Sequence, residues 1–238
     1  FTKNRIASLL ANSYVLKNGL DLALKYQAKF LHFSSSVVYG GRLDDSHRVS
    51  EEEIGLVDML SDRAAYDEAK RFAETMVKTY RDVYNLDTKI LRLFRVYGPH
   101  MPLDEGHMIP DFISAALDDR DLIIHGDPSF SSSYCYVADC VSAAIRMMDS
   151  TQAGPINIGS DINLNIEDLA KKIIAMLESE SKISYDKAML FMTPLALPNI
   201  TKARELLGWM PLVTLENGLQ KTIDNLRASK GLKSVNYY

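Results

Sequence analysis

The chain has 238 residues, 47% of them hydrophobic, and its 27 Lys and Arg against 31 Asp and Glu give a formal net charge of -4. That is one large domain or two small ones, with enough apolar material for a packed core, which excludes a disordered chain. The mild acidity lacks the basic footprint of a nucleic-acid binder, and the longest apolar run, residues 189–197, is short and carries Pro194, which excludes a membrane span.

In chain order, Ile6, Leu9, Leu10, Leu16, Leu20 and Leu24 recur at near-helical spacing and predict one long helix over residues 4–25. Residues 29–33 predict a short buried strand that runs through Ser34-Ser35-Ser36 into a loop at Val37-Val38-Tyr39-Gly40-Gly41. Chemistry often sits at such strand ends. Residues 42–62, with Asp44, Asp45, Glu51, Glu52 and Glu53, are too polar for a strand pair and read as a long surface loop of the kind that serves as a lid. Residues 63–83 are strongly helical, residues 88–94 form a strand, and Tyr97-Gly98-Pro99 is a turn. This alternation predicts an α/β fold with a parallel sheet.

Beyond Pro99 the pattern loosens. It predicts helices over 109–117, 139–148, 166–178, 201–207 and 215–228, strands at 122–125 and 155–159, an extended stretch at 131–137 and an irregular one at 186–199. Residues 1–98 are therefore assigned to the sheet domain and 99–238 to a smaller lobe interwoven with it through the strand near 155–159, with the ligand site between them. Cys135 and Cys140, five residues apart, suit neither a CxxC redox pair nor a zinc site and read as small buried side chains in a reducing compartment. The protein is expected to be cytoplasmic, with no metal, nucleic-acid or membrane partner.

Tyr66 and Lys70 stand four residues apart in the predicted helix, which puts a phenol and an ammonium on one face, about 5–6 Å apart at Cβ. A cation there favours phenolate, and a tyrosine starting near a pKa of about 10 becomes a general base if it is pulled toward working pH. The same spacing also arises when a core tyrosine lies beside a solvated lysine.

The serine triplet at a strand end, the Tyr66/Lys70 helix and the strand closing on Phe94-Arg95-Val96-Tyr97-Gly98-Pro99 together resemble the extended short-chain dehydrogenases/reductases. Met108-Ile109-Pro110-Asp111, Ile124-His125-Gly126-Asp127, Tyr136-Val137-Ala138-Asp139, Pro155-Ile156-Asn157-Ile158-Gly159 and the run from Thr201 to Trp209 follow in the order of that family's nucleotide-sugar branch, most similar to UDP-glucuronate decarboxylases and sugar-nucleotide 4-epimerases. The resemblance implies a Rossmann-type parallel sheet, NAD as cofactor and a nucleotide-sugar substrate. It implies Tyr66 as base, Lys70 on the nicotinamide ribose and Ser35 on the reacting oxygen. Asn12, Ser34 and Val96 are expected beside the cofactor, although Asn12 also reads as a polar residue on an exposed helix turn. A homodimer through helices 5–25 and 63–83 is implied as well.

Three departures qualify the resemblance. The family's opening GxxGxxG turn, which brings a pyrophosphate to a helix N-terminus, is absent from the 12 glycines here, and the start at Phe1 leads us to expect that the first strands of the sheet are missing from this chain. Where family dehydratases carry Asp-Glu and decarboxylases a Glu, this chain has Ser36 and Val37. Where the family places an Asn and three diphosphate-gripping Arg, it has Arg95, His100, Ser132 and Leu195-Ala196. Ser36, Arg95, His107 and Ser132 are therefore the substrate candidates, and Arg95 alternatively pairs with the acidic loop at 44–53. The leading expectation is NAD-dependent epimerisation. Its rivals are a decarboxylase or 4,6-dehydratase whose acid comes from elsewhere, and a noncatalytic homologue, against which the intact Tyr66 and Lys70 argue.

Overall fold

The computed structural model describes residues 4–41, 47–103, 106–127, 129, 131–186 and 196–234. The chain opens with α1 (Arg5–Leu10), capped by Asn4, whose Oδ1 accepts from the Ala7 N–H at 3.0 Å. A π-helical turn at Ala11–Val15 then leads into α2 (Leu16–Tyr26), so the expected single helix is interrupted. The cause is local. Asn12 Nδ2 donates to the Ser8 carbonyl at 2.9 Å and Ser13 Oγ to that of Leu9 at 2.8 Å, side-chain bonds that compete with the regular ladder.

β1 (Phe30–Ser35) is followed by a 3₁₀ turn at Ser36–Tyr39 where a loop was expected. Ser35 Oγ caps this turn by accepting from the Val37 N–H at 3.4 Å. The polar stretch beyond contains a short strand, β2 (Arg48–Val49). Then come α3 (Ala64–Tyr84), β3 (Thr88–Leu93), β4 (Val96–Tyr97), α4 (Met108–Leu117), β5 (Leu122–His125), β6 (Ser131–Ser132), β7 (Cys135–Tyr136), α5 (Val137–Asp149), β8 (Ile156–Ile158), β9 (Leu164–Asn165), α6 (Ile166–Leu177), β10 (Ile183–Asp186), β11 (Leu197–Pro198), α7 (Thr201–Leu207) and α8 (Leu215–Ser234).

The central sheet is parallel, in the order β1-β3-β8, with Phe30 opposite Thr88, Ser35 opposite Leu93 and Leu93 opposite Ile158. Because strand side chains alternate between faces, Ile90 packs with Leu16, Leu20, Ala73 and Val77 of α2 and α3, while its neighbour Leu91 packs with Met147, Ile156, Ile158 and Trp209 on the opposite face. A second core joins α4, α6 and α8 to β5, around Ile113, Leu122, Ile173 and Leu219. Short pairings lace the two parts together: β4 with β7 and β2 with β11 in parallel, and β6 with β9 antiparallel. β5 pairs with β10, a strand the sequence did not announce. Most of the stretch expected to be irregular at 186–199, including Leu195, lies outside the described residues, as do Asp44 and Asp45. Cys135 and Cys140 are buried free thiols with Sγ atoms 3.5 Å apart.

Candidate active site

The carboxyl ends of β1 and β3 lie side by side, Ser35 opposite Leu93, which is where open parallel sheets present ligand sites. α3 follows β1 in the chain and leads into β3, so its first two turns lie over the serine end of β1. The Tyr66 phenol shares a hydrogen bond with the Ser35 side chain. One turn on, Lys70 Nζ donates to the Phe33 carbonyl at 3.0 Å. Phenol, hydroxyl and ammonium thus meet at one strand end.

Their electrostatics depart from the sequence-based expectation. Burial holds the Tyr66 phenol above its ordinary pKa, Asp67 adds to the rise, and the Ser35 hydroxyl and Arg63 guanidinium pull the other way. The Lys70 ammonium donates to the Phe33 carbonyl rather than to the phenol. The sequence reading missed Arg63, three residues before Tyr66, which pairs with Asp67 at 3.4 Å. Burial also holds Lys70 below the usual lysine value, against the opposing pull of Glu74. His32, on the same face of β1, is buried without a partner for Nε2, and desolvation together with the Lys70 charge lowers its pKa to about 4.

Asn12 lies half-buried in the π-turn, which packs on α3; such turns recur at functional sites. Ser34 was expected at the cofactor but is buried, and its Oγ donates to Glu74 Oε1 at 2.6 Å. Glu74 in turn takes a two-pronged bond from Arg92, Nε at 2.9 Å and Nη2 at 2.7 Å. Neither Glu74 nor Arg92 was singled out from the sequence, although Glu74 stands at helical spacing from Lys70.

Beyond β3, Arg95, Val96 and Tyr97 wall a cavity of about 100 Å³ together with His107, Met108 and Tyr134. Arg95 and His107 are therefore brought together as expected. Arg95 adopts φ 23°, a region in which Asn is far more at ease than Arg. Ser36 and Ser132 are both buried and line no part of this cavity, Ser132 being paired in β6 with Leu164. Val37 is 3% exposed inside the 3₁₀ turn, and Glu51, a half-buried carboxylate of the neighbouring loop, accepts from the Asn157 N–H at 2.7 Å. His100 lines no part of this cavity, and its backbone N–H donates to Asn225 Oδ1 at 3.1 Å. Among the described residues no group of three or more His, Cys, Asp or Glu is arranged to hold a metal ion, and no helix is long and apolar enough to cross a membrane.

The family model described as NAD dependent epimerase/dehydratase matches residues 5–159. UDP-glucuronic acid decarboxylase 1 of Xenopus tropicalis is 34% identical over 235 residues, covering 99% of this chain and 55% of that protein. The chain thus spans about half the length of the curated relative it matches. Among solved structures, UDP-glucose 4-epimerase of Thermotoga maritima, in complex with UDP-glucose, superposes with a TM-score of 0.87 at 25% identity, over 96% of this chain and 73% of that one. UDP-glucuronic acid 4-epimerase of Bacillus cereus, in complex with UDP-glucuronic acid and NAD, gives 0.82 at 26% identity, over 92% and 68%.

Proposed function

Because the chain belongs to the NAD-dependent epimerase/dehydratase family, we propose that its protein epimerises a nucleotide-activated sugar with NAD. The observation that carries this reading is the meeting of Tyr66, Ser35 and Lys70 at the end of β1. These residues suit the nicotinamide end of the cofactor. The pyrophosphate end needs a glycine-rich turn at a helix start, and the 12 glycines form no GxxGxxG run; Gly40, Gly55 and Gly154 serve close backbone packing instead, a Cβ there falling 1.9, 2.3 or 2.3 Å from the chain's own backbone.

Bound NAD supplies hydride acceptance and return. The chain's own residues handle the proton. Once deprotonated, against the burial that holds it neutral in the chain by itself, Tyr66 removes the hydroxyl proton of the reacting sugar carbon, Ser35 donates to the oxygen left carbonyl-like, and Tyr66 later returns the proton to the same oxygen. Lys70 offers an ammonium to the ribose. Arg95 and His107 are placed for the diphosphate, an anion that a guanidinium grips well.

Epimerisation is preferred to elimination because the two positions after Ser35 hold Ser36 and Val37, neither a proton-transferring carboxyl. The identity to a UDP-glucuronic acid decarboxylase favours the second reading, decarboxylation with an acid from elsewhere. Incubating the full-length protein and NAD with UDP-glucuronate and UDP-glucose separates them: a product of unchanged mass and altered stereochemistry supports epimerisation, and one lighter by carbon dioxide or water overturns it. We further propose a homodimer through residues 5–25 and 63–83, whose outer faces expose Tyr14 at 68%, Leu22 at 58% and Phe72 at 51%.

A further inference from the structure

Behind the Tyr66 and Lys70 pair lies a second layer of charge. Arg92 projects from β3 on the α3 face of the sheet and closes a two-pronged ion pair with Glu74, each side chain being only 12% exposed. The remaining bonds of this pair reach the reactive loop. Glu74 Oε1 also accepts from Ser34 Oγ at 2.6 Å, and Arg92 Nη1 donates to Tyr39 Oη at 2.7 Å and to the Glu51 carbonyl at 3.2 Å. Tyr39 passes the chain on by donating to Asn157 Oδ1 at 2.7 Å. Ser34 immediately precedes Ser35, and Tyr39 closes the 3₁₀ turn that Ser35 caps. Along α3, Glu74 stands one turn beyond Lys70 and two beyond Tyr66, on one face.

Stability alone does not account for such a pair, since a buried ion pair is often no better than apolar side chains of the same volume. Its partners point to another role. Resting on the reading of Tyr66 as base given above, we propose that Glu74 and Arg92 are positioning residues for that centre: Glu74 fixes Ser34 and faces Lys70 with a negative charge, and Arg92 holds that carboxylate and Tyr39 in place.

The charge environment is specific enough to test. Tyr66 is faced by Ser35 from β1 and by Arg63 and Asp67 from α3. Lys70 is faced by His32 from β1 and Glu74 from α3. The π-turn packed on α3 carries one titratable residue, Tyr14, which is exposed, α1, packed on the same helix, brings Arg5, paired with Asp62 at 2.9 Å, and Tyr39 and Arg92 enter behind Glu74. With both members present the second layer is neutral overall. Glu74→Gln leaves the Arg92 cation uncompensated, which favours phenolate at Tyr66 and moves its titration to lower pH. Arg92→Gln leaves the Glu74 anion and moves it to higher pH. Eight residues of helix separate Glu74 from Tyr66 by about 12 Å, so each move is about half to one pH unit once solvent screening is allowed for.

The readout is ultraviolet absorption of tyrosinate against pH, taken as the difference between each protein and its Tyr66→Phe counterpart, without cofactor or substrate. The expected result is opposite movement in the two single variants and return to the wild-type value in Glu74→Gln/Arg92→Gln. Trimethylamine N-oxide keeps weakened variants folded, and Arg92→Lys, which retains the charge, is expected to leave the titration in place. Movement of both single variants in the same direction, no movement in either, or movement in Arg92→Lys overturns the proposal. Turnover of the same proteins tests the underlying reading separately. If Tyr66→Phe turns over normally while the titrations move as stated, Tyr66 is not the base and the electrostatic link stands; if Tyr66 is essential and the titrations stay fixed, the positioning role alone falls.

Discussion

Replacing His32 with leucine should remove much of the protein's sensitivity to mild acid. The imidazole is 8% exposed, its Nε2 has no partner, and its pKa falls from 6.5 to about 4 because burial and the Lys70 ammonium both oppose its charged form. In the unfolded chain the same group binds a proton below about 6.5. The unfolded state therefore gains protons that the native state refuses, and the stability present above the unfolded value drains as pH falls toward the folded one. A difference of about 2.5 pH units at about 1.4 kcal/mol each amounts to about 3 to 4 kcal/mol, of which about 2 kcal/mol is lost between pH 7 and pH 5. Urea unfolding of wild type and His32→Leu at pH 7, 6 and 5 measures it, because the remaining groups titrate in both proteins and cancel in the difference. The variant should lose about 2 kcal/mol less than wild type between pH 7 and pH 5. Parallel stability curves would refute a buried neutral imidazole.

Tyr66→Phe removes only a hydroxyl, so turnover should fall by about 10² to 10⁴, as for loss of a general base, with NAD affinity kept within a few fold; unchanged turnover in a stopped assay would make Tyr66 structural. Trp209 is 2% exposed and its Nε1 donates to the Asp139 carbonyl at 2.9 Å, so Trp209→Ala should cost about 3 to 5 kcal/mol in denaturant titration, and a loss below about 1 kcal/mol would contradict its place in the core. Sedimentation velocity at micromolar concentration should report a dimer that Leu22→Asp dissociates; a wild-type monomer ends the helix-face reading.

Much of the site was legible because helices have a rigid period. Tyr66 and Lys70 had to share a face once residues 63–83 were helical, and the strand before Ser35 had to deliver that serine to a sheet end. The direction of the Lys70 ammonium was not legible, because it goes to a backbone carbonyl, Phe33, and carbonyls leave no mark in a sequence. The π-turn was hidden for a related reason, since two side-chain bonds to carbonyls interrupt a pattern whose apolar spacing still reads as helix. Glu74 and Arg92 lie 18 residues apart, on α3 and β3, and only the packing of that helix on the sheet brings them together. Ser132 looked like a replacement for a lost arginine, but the short β6–β9 ladder buries it away from the Arg95 cavity. The outer faces of α1, α2 and α3 were only partly predicted. Ala73 and Met76 of α3 pack against α2 of their own chain, which leaves Phe72 to face outward.

The polar chain through Tyr39 and Asn157 also has a consequence for how the protein is made. Tyr39 waits for a partner 118 residues downstream, and Asn157 Nδ2 then donates to the Val49 and Asn199 carbonyls, at 3.0 and 3.4 Å. Val49 itself lies in a two-residue strand whose neighbour is Leu197–Pro198. Contacts of such sequence separation form slowly, because the loop between them must close before any contact rewards it. On the ribosome, the segment carrying the serines and tyrosine gains its Glu74 and Arg92 partners early but lacks Asn157 and Asn199 until residues near 199 follow. The 3₁₀ turn beyond Ser35 therefore acquires its full set of polar partners only after nearly all of the described fold has been synthesised.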